Sequence, residues 1–290
     1  SVFGWRRLAV TVRRLGAAGI RLVLHLIAQQ FEDDAVMQGA IGGIDDIVGD
    51  AHRRPIVGTV GGFDHHPDAG LCATFRIQDA HLVIDQAQLA EAGVTEIVAL
   101  RGDPPKGEGK FTPHPDGFAN SVELIEALAD KGKFKIHVGA YPERHPDAVS
   151  DTSDVDWLKR KLDAGATDGI TQFFFETETF LRFRDRCEKA GITAPIIPGI
   201  LPIENWKGMR KFAIGCGANV PTWLDDAFDK AARDNREDLL ATALCTEMCT
   251  ALIDEGVDKL HFYTLNKPEL TRAVCHALGV TPEVDLRDVA

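Results

Sequence analysis

The chain of 290 residues lacks several features that would assign it to familiar classes. Its six cysteines include no CxxC pair, so neither a structural zinc site nor a redox motif is predicted, and we expect no metal. Scattered cysteines of this kind are typical of reduced thiols in a cytoplasmic protein. Long apolar runs are also missing, because Arg21 and His25 interrupt the most apolar N-terminal stretch, and we expect no membrane span.

Positive charge is scarce as well. The chain has 32 lysines and arginines against 44 aspartates and glutamates, which gives a formal net charge of -12. This balance argues against binding to nucleic acid or to an anionic membrane surface. Any anionic ligand must therefore be held by a local group of cations. The remaining composition, 44% hydrophobic and 26% charged, is typical of a globular protein, and we expect residues 1–290 to form a single domain.

One pattern repeats from about residue 87 onward, in which a helical segment precedes a short apolar strand. Several of these helices end at glycine, as αβ units with glycine C-caps do, and strands apolar throughout indicate a parallel sheet covered on both faces. With room for two more strands upstream, the pattern predicts an α/β fold, the eight-stranded (β/α)8 TIM barrel. The alternative, a doubly wound open sheet, usually has a glycine-rich phosphate fingerprint after its first strand, and none is found. The six predicted strands are TEIVALRGD, FKIHVGAYPERHPD, DGITQFFFE, APIIPGILP, ANVPTWL and KLHFYTLN.

Polar residues follow these strands, where the active site of such a barrel lies. They form neither a Ser-His-Asp arrangement nor a three-ligand metal cluster. A carboxylate, an amide, an aromatic ring and a histidine favour a flat polar heterocycle held by hydrogen bonds and stacking. The set comprises Arg101, Gly102, Asp103, Tyr141, Glu143, His145, Gln172, the segment 199–202, Tyr263, Thr264 and Asn266.

Six motifs carry a resemblance to a known family. They are IVALRGDPPKGEGKF, GAYPERHPDA, LKRKLDAGATDGITQFFF, FLRFRDRCEKAGI, IIPGILPI and HFYTLNK, which lie in register between about residues 87 and 281. Together they resemble the methylenetetrahydrofolate reductase family. The resemblance implies a flavin-containing (β/α)8 barrel that passes a hydride from NADH or NADPH to FAD. Reduced FAD then reduces 5,10-methylenetetrahydrofolate to 5-methyltetrahydrofolate.

The resemblance also implies roles for individual residues. Those expected at FAD are Arg101, Gly102, Asp103, Phe118, Ala119, Tyr141, His145, Ala148, Asp154, Trp157, Arg160 and Lys161. Phe118 replaces a commoner tyrosine, and Trp157 stands where some members have asparagine, so one hydrogen bond is expected to be missing. Arg160 and Lys161 are expected near the cofactor's phosphates; the alternative for this LKRK segment is a solvated helix face.

The resemblance places four residues at the folate: Asp103, Gln172, Phe212 and Lys267. Asp103 is the expected catalytic residue, because its charge would tune the flavin potential and stabilise a cationic iminium form of the substrate. Without the resemblance, Gly-Asp-Pro-Pro is simply a turn. Gln172 is expected to read the pterin through its amide, and Phe212 either sandwiches a ring against the flavin or belongs to the core.

Residues 1–86 do not match the family, and the glutamate that serves it as general acid is not found. The segment has eight arginines and no lysine. It is a divergent sequence, a translation in a displaced reading frame, or a different module joined near residue 87. Because its length is preserved, we favour the displaced frame and expect the segment to supply the missing barrel strands.

Three rival functions stay open. Asp64-His65-His66 is similar to a motif of metal-dependent phosphoesterases, although no companion aspartate motifs accompany it and loop histidines are the simpler interpretation. A second rival is a flavin- or folate-binding scaffold that has lost its acid. A third is a flavin-free reductase in which NAD(P)H delivers hydride directly. A homo-oligomer is an expectation that the sequence itself does not decide.

Overall fold

The protein is represented by a computed structural model that describes residues 9–14, 20–25, 71–76, 94–101, 112–113, 117–130, 134–145, 148–264 and 268–280. Eight strands within these ranges join one sheet in the order β2-β1-β8-β7-β6-β5-β4-β3. The strands are β1 (Ala9–Arg14), β2 (Ile20–His25), β3 (Leu71–Arg76), β4 (Val94–Leu100), β5 (Lys135–Ala140), β6 (Asp168–Phe173), β7 (Ile196–Ile200) and β8 (Lys259–Tyr263).

Seven helices are described, and those from the second half of the chain lie between or after parallel strands. They are α1 (Ser121–Ala129), α2 (Ser153–Asp163), α3 (Thr177–Lys189), α4 (Trp206–Gly215), α5 (Thr222–Arg233), α6 (Glu237–Asp254) and α7 (Pro268–Ala277).

Strands β3 to β8 pair in parallel, each with its neighbour in the sheet. Strands β5, β6 and β7 are buried along most of their length, as expected for a sheet covered on both faces. The predicted parallel α/β class is therefore confirmed. Closure of the sheet into a complete TIM barrel stays a prediction.

The two N-terminal strands differ from the predicted all-parallel arrangement. β1 pairs antiparallel with both β2 and β8. Only five residues separate Arg14 from Ile20, and a parallel crossover needs a dozen or more, so this pair can only be antiparallel. Three described strands, β1 to β3, thus come from residues 1–86, where two were expected.

One predicted strand is wrong. The segment ANVPTWL does not form a strand, because its last three residues begin helix α5. Pro221 is extended at the N-cap, and Leu224 and Phe228, four residues apart, bury the same helix face. The total of eight strands therefore arises from five strands after residue 87 and three before it.

The glycine C-caps predicted after the helices are confirmed where the chain turns back toward a strand. At the end of α3, Gly191 has a φ of +75°, which is favourable for glycine. The N–H of Ile192 donates to the carbonyl of Cys187 at 3.0 Å, which closes a Schellman motif. Such caps end each helix sharply and set the direction of the next strand.

The amino ends of β4, β5 and β6 hold a buried cluster of charged side chains. His137 Nδ1 lies 2.6 Å from Asp168 Oδ1, and its Nε2 lies 3.2 Å from Glu96 Oε2. Burial alone would lower the pKa of His137, but the bonds to Asp168 and Glu96 outweigh burial and raise the pKa to about 9. His137 is therefore an imidazolium between two carboxylates at neutral pH.

Candidate active site

The carboxyl ends of the same three strands bring together residues that are distant in sequence. Arg101 follows β4, Tyr141 follows β5, and Gln172 is the fifth residue of β6. Ala99 pairs with Val138, and Ala140 pairs with Thr171, so these three ends lie at one edge of the sheet. The sequence placed its candidate site at this edge.

Lys161 on α2 reaches back to this edge. Its Nζ donates to the carbonyl oxygen of Gly139, in β5, at 2.8 Å. Burial lowers the pKa of Lys161 to about 8; Asp154 opposes that change and Arg101 adds to it. Arg101, Asp154 and Lys161 are therefore close enough to interact, and together they present two cations and one carboxylate.

The predicted segment after β5 packs against the start of α2. The backbone N–H of His145 donates to Asp154 Oδ2 at 3.2 Å. The rings of Tyr141 and His145 meet edge to face, with centroids 4.4 Å apart, and Ala148 closes the turn by donating to the carbonyl of His145 at 2.9 Å. Four predicted cofactor residues, Tyr141, His145, Ala148 and Asp154, thus form one contiguous structure.

Arg160 does not join Lys161. Its guanidinium lies 4.1 Å from the ring centroid of Trp157, whose side chain is 40% exposed. Successive helix residues point in different directions, so Lys161 turns toward β5 while Arg160 stacks on the outer face of α2. A phosphate role for Lys161 fits this geometry, whereas a phosphate role for Arg160 stays a prediction without a geometric counterpart.

Gln172 lines a small cavity of about 10 Å³ together with Tyr141, Phe173 and the turn after α4, residues 216–218. Its Oε1 accepts a hydrogen bond from the backbone N–H of Phe173 at 3.2 Å. The Nε2 amide hydrogens are therefore the part of this side chain that can face a ligand. An acceptor-bearing heterocycle is the natural partner for such a donor.

Phe212 is stacked on Phe173, with centroids 5.6 Å apart and planes 25° from parallel. Phe173 is 2% exposed, and Phe212 is half-buried against the same core cluster. The geometry supports the core interpretation of Phe212, and its role at the folate stays a prediction.

Phe118 and Ala119 precede α1, which follows β4. Phe118 is half-buried against the core cluster of β4, β5 and α1, and the exposed Ala119 donates its N–H to Glu123 Oε2 at 2.8 Å. Their role at the cofactor stays a prediction. Three further predicted residues, Gly102, Asp103 and Lys267, lie outside the described residues, as does the Asp64-His65-His66 segment.

Two residues at this edge, Glu143 and Tyr263, have structural roles that the sequence did not predict. Both carboxylate oxygens of Glu143 accept the N–H of Asn219, at 3.1 and 3.0 Å. Burial raises the pKa of Glu143, the Asn219 bond opposes that rise, Glu176 adds to it and Arg182 opposes it. The hydroxyl of Tyr263 donates to the carbonyl of Thr171 at 2.9 Å. Their only signal in the sequence was their place after a strand.

Among the described residues, no group of three or more His, Cys, Asp or Glu side chains is arranged to hold a metal ion. No helix in the described part of the chain is long and apolar enough to cross a membrane.

Comparison with known proteins places the chain in a family. The family model for methylenetetrahydrofolate reductase matches residues 72–279. The 5,10-methylenetetrahydrofolate reductase of Pectobacterium carotovorum is 47% identical over 195 residues, which are 67% of this chain and 63% of that protein. The Escherichia coli protein of the same name is 47% identical over 191 residues, which are 66% of this chain and 62% of that protein.

Two further proteins match the chain at lower identity. A probable methylenetetrahydrofolate reductase (NADH) of Oryza sativa is 39% identical over 204 residues, covering 66% of this chain and 34% of its own. A solved structure from Clostridium thermocellum, of an uncharacterized protein that binds two copies of 5-methyl-5,6,7,8-tetrahydrofolic acid, has a TM-score of 0.41. It is 17% identical over 67% of this chain and 77% of that one. The alignments with the two bacterial relatives span less than two thirds of their length, 63% and 62%. The chain belongs to the methylenetetrahydrofolate reductase family.

Proposed function

We propose that this chain reduces 5,10-methylenetetrahydrofolate to 5-methyltetrahydrofolate, with FAD as cofactor and NADH or NADPH as the source of hydride. The observation that carries the proposal is the arrangement at the carboxyl ends of β4 to β6. A cation pair lies at one side, and the amide donor of Gln172 lies at the other. Relatives named for this reaction support the same choice of substrate.

The cation pair fits an anionic cofactor. Lys161 is held in a largely buried position where burial and Arg101 disfavour its charge and Asp154 favours it. A pyrophosphate beside Lys161 would favour the protonated amine. Lys161 and Arg101 would hold this part of FAD, with Tyr141 and His145 beside them. FAD, when bound, supplies hydride transfer between the nicotinamide and the folate.

The folate half-reaction needs groups that bind and orient the substrate. In the overall reduction of the folate, a hydride adds to the methylene carbon, the bond from that carbon to N10 breaks, and a proton is added at N10. The Nε2 hydrogens of Gln172 would donate to acceptor atoms of the pterin. Asp103, two residues beyond Arg101, would stabilise the positive charge of the iminium form.

A second candidate is a scaffold that binds flavin or folate without turnover, and a specific observation favours keeping it. Residues 1–86 contain none of the family motif that supplies the general acid. We also propose that the eight strands close into a barrel, with β2 meeting β3. A determined structure in which these two strands stay apart as edges would contradict that closure.

The test separates the two half-reactions on the full chain. We expect bound FAD after purification, and folate-dependent oxidation of NADH or NADPH. Gln172→Leu should lose about 1–3 kcal/mol of folate-dependent transition-state stabilisation, because one buried polar contact is lost. Oxidation of NAD(P)H by an artificial acceptor should stay close to the parent rate. Equal loss in both half-reactions would assign Gln172 a structural role.

Asp103→Asn tests the catalytic assignment because it keeps the shape and removes the charge. We expect a more easily reduced flavin and folate reduction slowed by at least about tenfold. Stopped-flow measurement of each half-reaction is the readout. Bound flavin without folate turnover in the parent would favour the scaffold, and turnover without flavin would favour direct transfer from NAD(P)H.

A further inference from the structure

Strand β6 contains a bulge at the residue proposed to bind folate. Ile170 pairs with Ile197, and Phe173 pairs with Gly199, so two residues of β6, Thr171 and Gln172, face the single Pro198. Proline has no N–H to donate into the ladder, which makes it a natural position for such an irregularity. A bulge redirects the side chains beside it and is often found next to active sites.

Two bonds outside the regular ladder fix this bulge, and both end on Thr171. The N–H of Gly199 donates to Thr171 Oγ1 at 2.9 Å, and the hydroxyl of Tyr263 donates to the Thr171 carbonyl oxygen at 2.9 Å. Thr171 is fully buried, so both bonds are shielded from water. Tyr263 thereby ties the end of β8 to β6 across the intervening β7.

Gly199 provides the space for this contact. A Cβ at that position would lie 2.1 Å from the Thr171 carbonyl oxygen and 2.6 Å from Cε2 of Tyr263. Both distances are too short for any side chain. Position 199, directly after Pro198, must therefore be glycine if the Tyr263 ring is to reach Thr171.

The bulge determines how the amide of Gln172 is presented. The Thr171 carbonyl that Tyr263 holds belongs to the peptide bond joining Thr171 to Gln172. On the other side, the N–H of Phe173 donates to Gln172 Oε1 at 3.2 Å. Gln172 is half-buried between the buried Thr171 and Phe173, and it lines the small cavity beside Tyr141.

We propose that Tyr263 is a positioning residue that acts through Thr171. Its hydroxyl fixes the bulge so that the Nε2 hydrogens of Gln172 meet the acceptor atoms of a pterin-like heterocycle. This inference rests on the proposed function, because it assumes that Gln172 contacts the folate. Tyr263 itself needs no contact with the substrate.

The first test is a double-mutant cycle on the full chain with 5-methyltetrahydrofolate as the titrated probe. Tyr263→Phe should weaken its binding roughly fivefold to twentyfold, the range expected for one misplaced polar contact. In the Gln172→Leu background the same substitution should change binding by less than about twofold. An equal loss in both backgrounds would overturn the proposal.

Thr171→Val is the second variant, because it removes the bond from Gly199 while keeping a branched side chain. Thr167→Val is its matched control: Thr167 precedes β6 at its other end, where its hydroxyl accepts the N–H of Ile136 at 3.1 Å. We expect weaker folate binding in Thr171→Val and parent-like binding in Thr167→Val. Equal binding by these two variants would also overturn the proposal.

A readout without ligand separates this inference from the proposed function. The side-chain NH2 signals of Gln172 in a 15N-labelled sample are identified by their absence in Gln172→Leu. We expect them to shift or broaden in Tyr263→Phe and to match the parent in Thr167→Val. Unchanged signals in Tyr263→Phe would refute the positioning role. Changed signals in a protein that binds no folate would support positioning and refute the folate function instead.

Discussion

The two ends of β4, β5 and β6 both hold charged groups, but they are balanced differently. At the amino ends, His137 lies between Asp168 and Glu96, and Lys135 Nζ adds a further bond to Glu96 at 3.1 Å. At the carboxyl ends, Asp154 favours the charge of Lys161, whereas Arg101 and burial disfavour it. The surroundings of His137 therefore favour a positive charge, and those of Lys161 disfavour one.

The pKa values of His137 and Lys161 are shifted in opposite directions. Despite burial, the bonds to Asp168 and Glu96 raise the pKa of His137 to about 9, while burial lowers the pKa of Lys161 to about 8. The protein therefore stabilises the charge of His137 and penalises that of Lys161. A cluster that favours its own charges stabilises the fold, whereas a buried cation whose charge is disfavoured is a candidate ligand site.

The largest expected effect is at the amino ends. His137→Leu should lower the free energy of unfolding by about 3–5 kcal/mol, because Glu96 and Asp168 would lose the cation that pairs them. Chemical denaturation at pH 7 measures the change. His276→Leu, at an exposed histidine of α7, is the control and should stay within about 0.5 kcal/mol of the parent. A loss below about 1 kcal/mol for His137→Leu would show that the cluster contributes little.

The same histidine predicts a pH dependence. Its folded pKa of about 9 exceeds the ordinary value of 6.5, so its contribution is fully present below pH 6.5. The contribution is lost as pH rises through 9, and it amounts to on the order of 3 kcal/mol. In denaturation curves between pH 6 and pH 9.5, the stability difference between the parent and His137→Leu should shrink by this amount, because other titrating groups affect both proteins equally. A difference that stays level over that range would contradict the ion cluster.

The effect of Lys161 on stability should change with pH in the opposite direction. Its folded pKa of about 8 lies below the ordinary 10.5, so a cost to stability is present below pH 8 and disappears as pH rises toward 10.5. A bound pyrophosphate would favour the protonated amine. Affinity for ADP, used as a pyrophosphate probe, should therefore fall by up to about tenfold between pH 7 and pH 9.

Lys161→Arg is the matched variant, because arginine stays charged throughout this range. Its affinity for ADP should be nearly constant with pH, even if it is weaker at pH 7. Calorimetric titration at pH 7, 8 and 9 gives both profiles. Parallel profiles for the parent and Lys161→Arg would show that another group controls anion binding.

Of these two ends, only the carboxyl-end site could be predicted from the sequence. Residues after β4, β5 and β6 could be placed at one edge, because the strands were apolar runs and parallel strands share their carboxyl ends. The amino-end cluster could not be found, since Glu96, His137 and Asp168 lie on three strands and their meeting depends on register. A register change of one residue would have turned His137 to the other face of the sheet.

Differences between prediction and structure at single elements also have physical causes. ANVPTWL is apolar enough for a strand, and only the spacing of Leu224 and Phe228 beyond it reveals the helix. The bulge at Thr171 and Gln172 needs the pairing with Pro198, which depends on a contact between strands. Arg160 and Lys161 are adjacent in sequence, and it is the helix that separates their directions.

The smallest expected effect concerns that outward face of α2. Trp157→Asn removes a largely exposed cation–π contact with Arg160 and should lower the free energy of unfolding by about 0.5–1 kcal/mol. If asparagine restores the hydrogen bond expected to be missing here, FAD affinity should rise by up to about tenfold. Flavin fluorescence quenching measures that affinity. Trp223→Asn, at a 45% exposed tryptophan of α5, is the control and should leave it unchanged. Weaker FAD binding in Trp157→Asn would instead show that the indole itself contacts the cofactor, and the exposed face of α2 would then belong to the same site as Lys161.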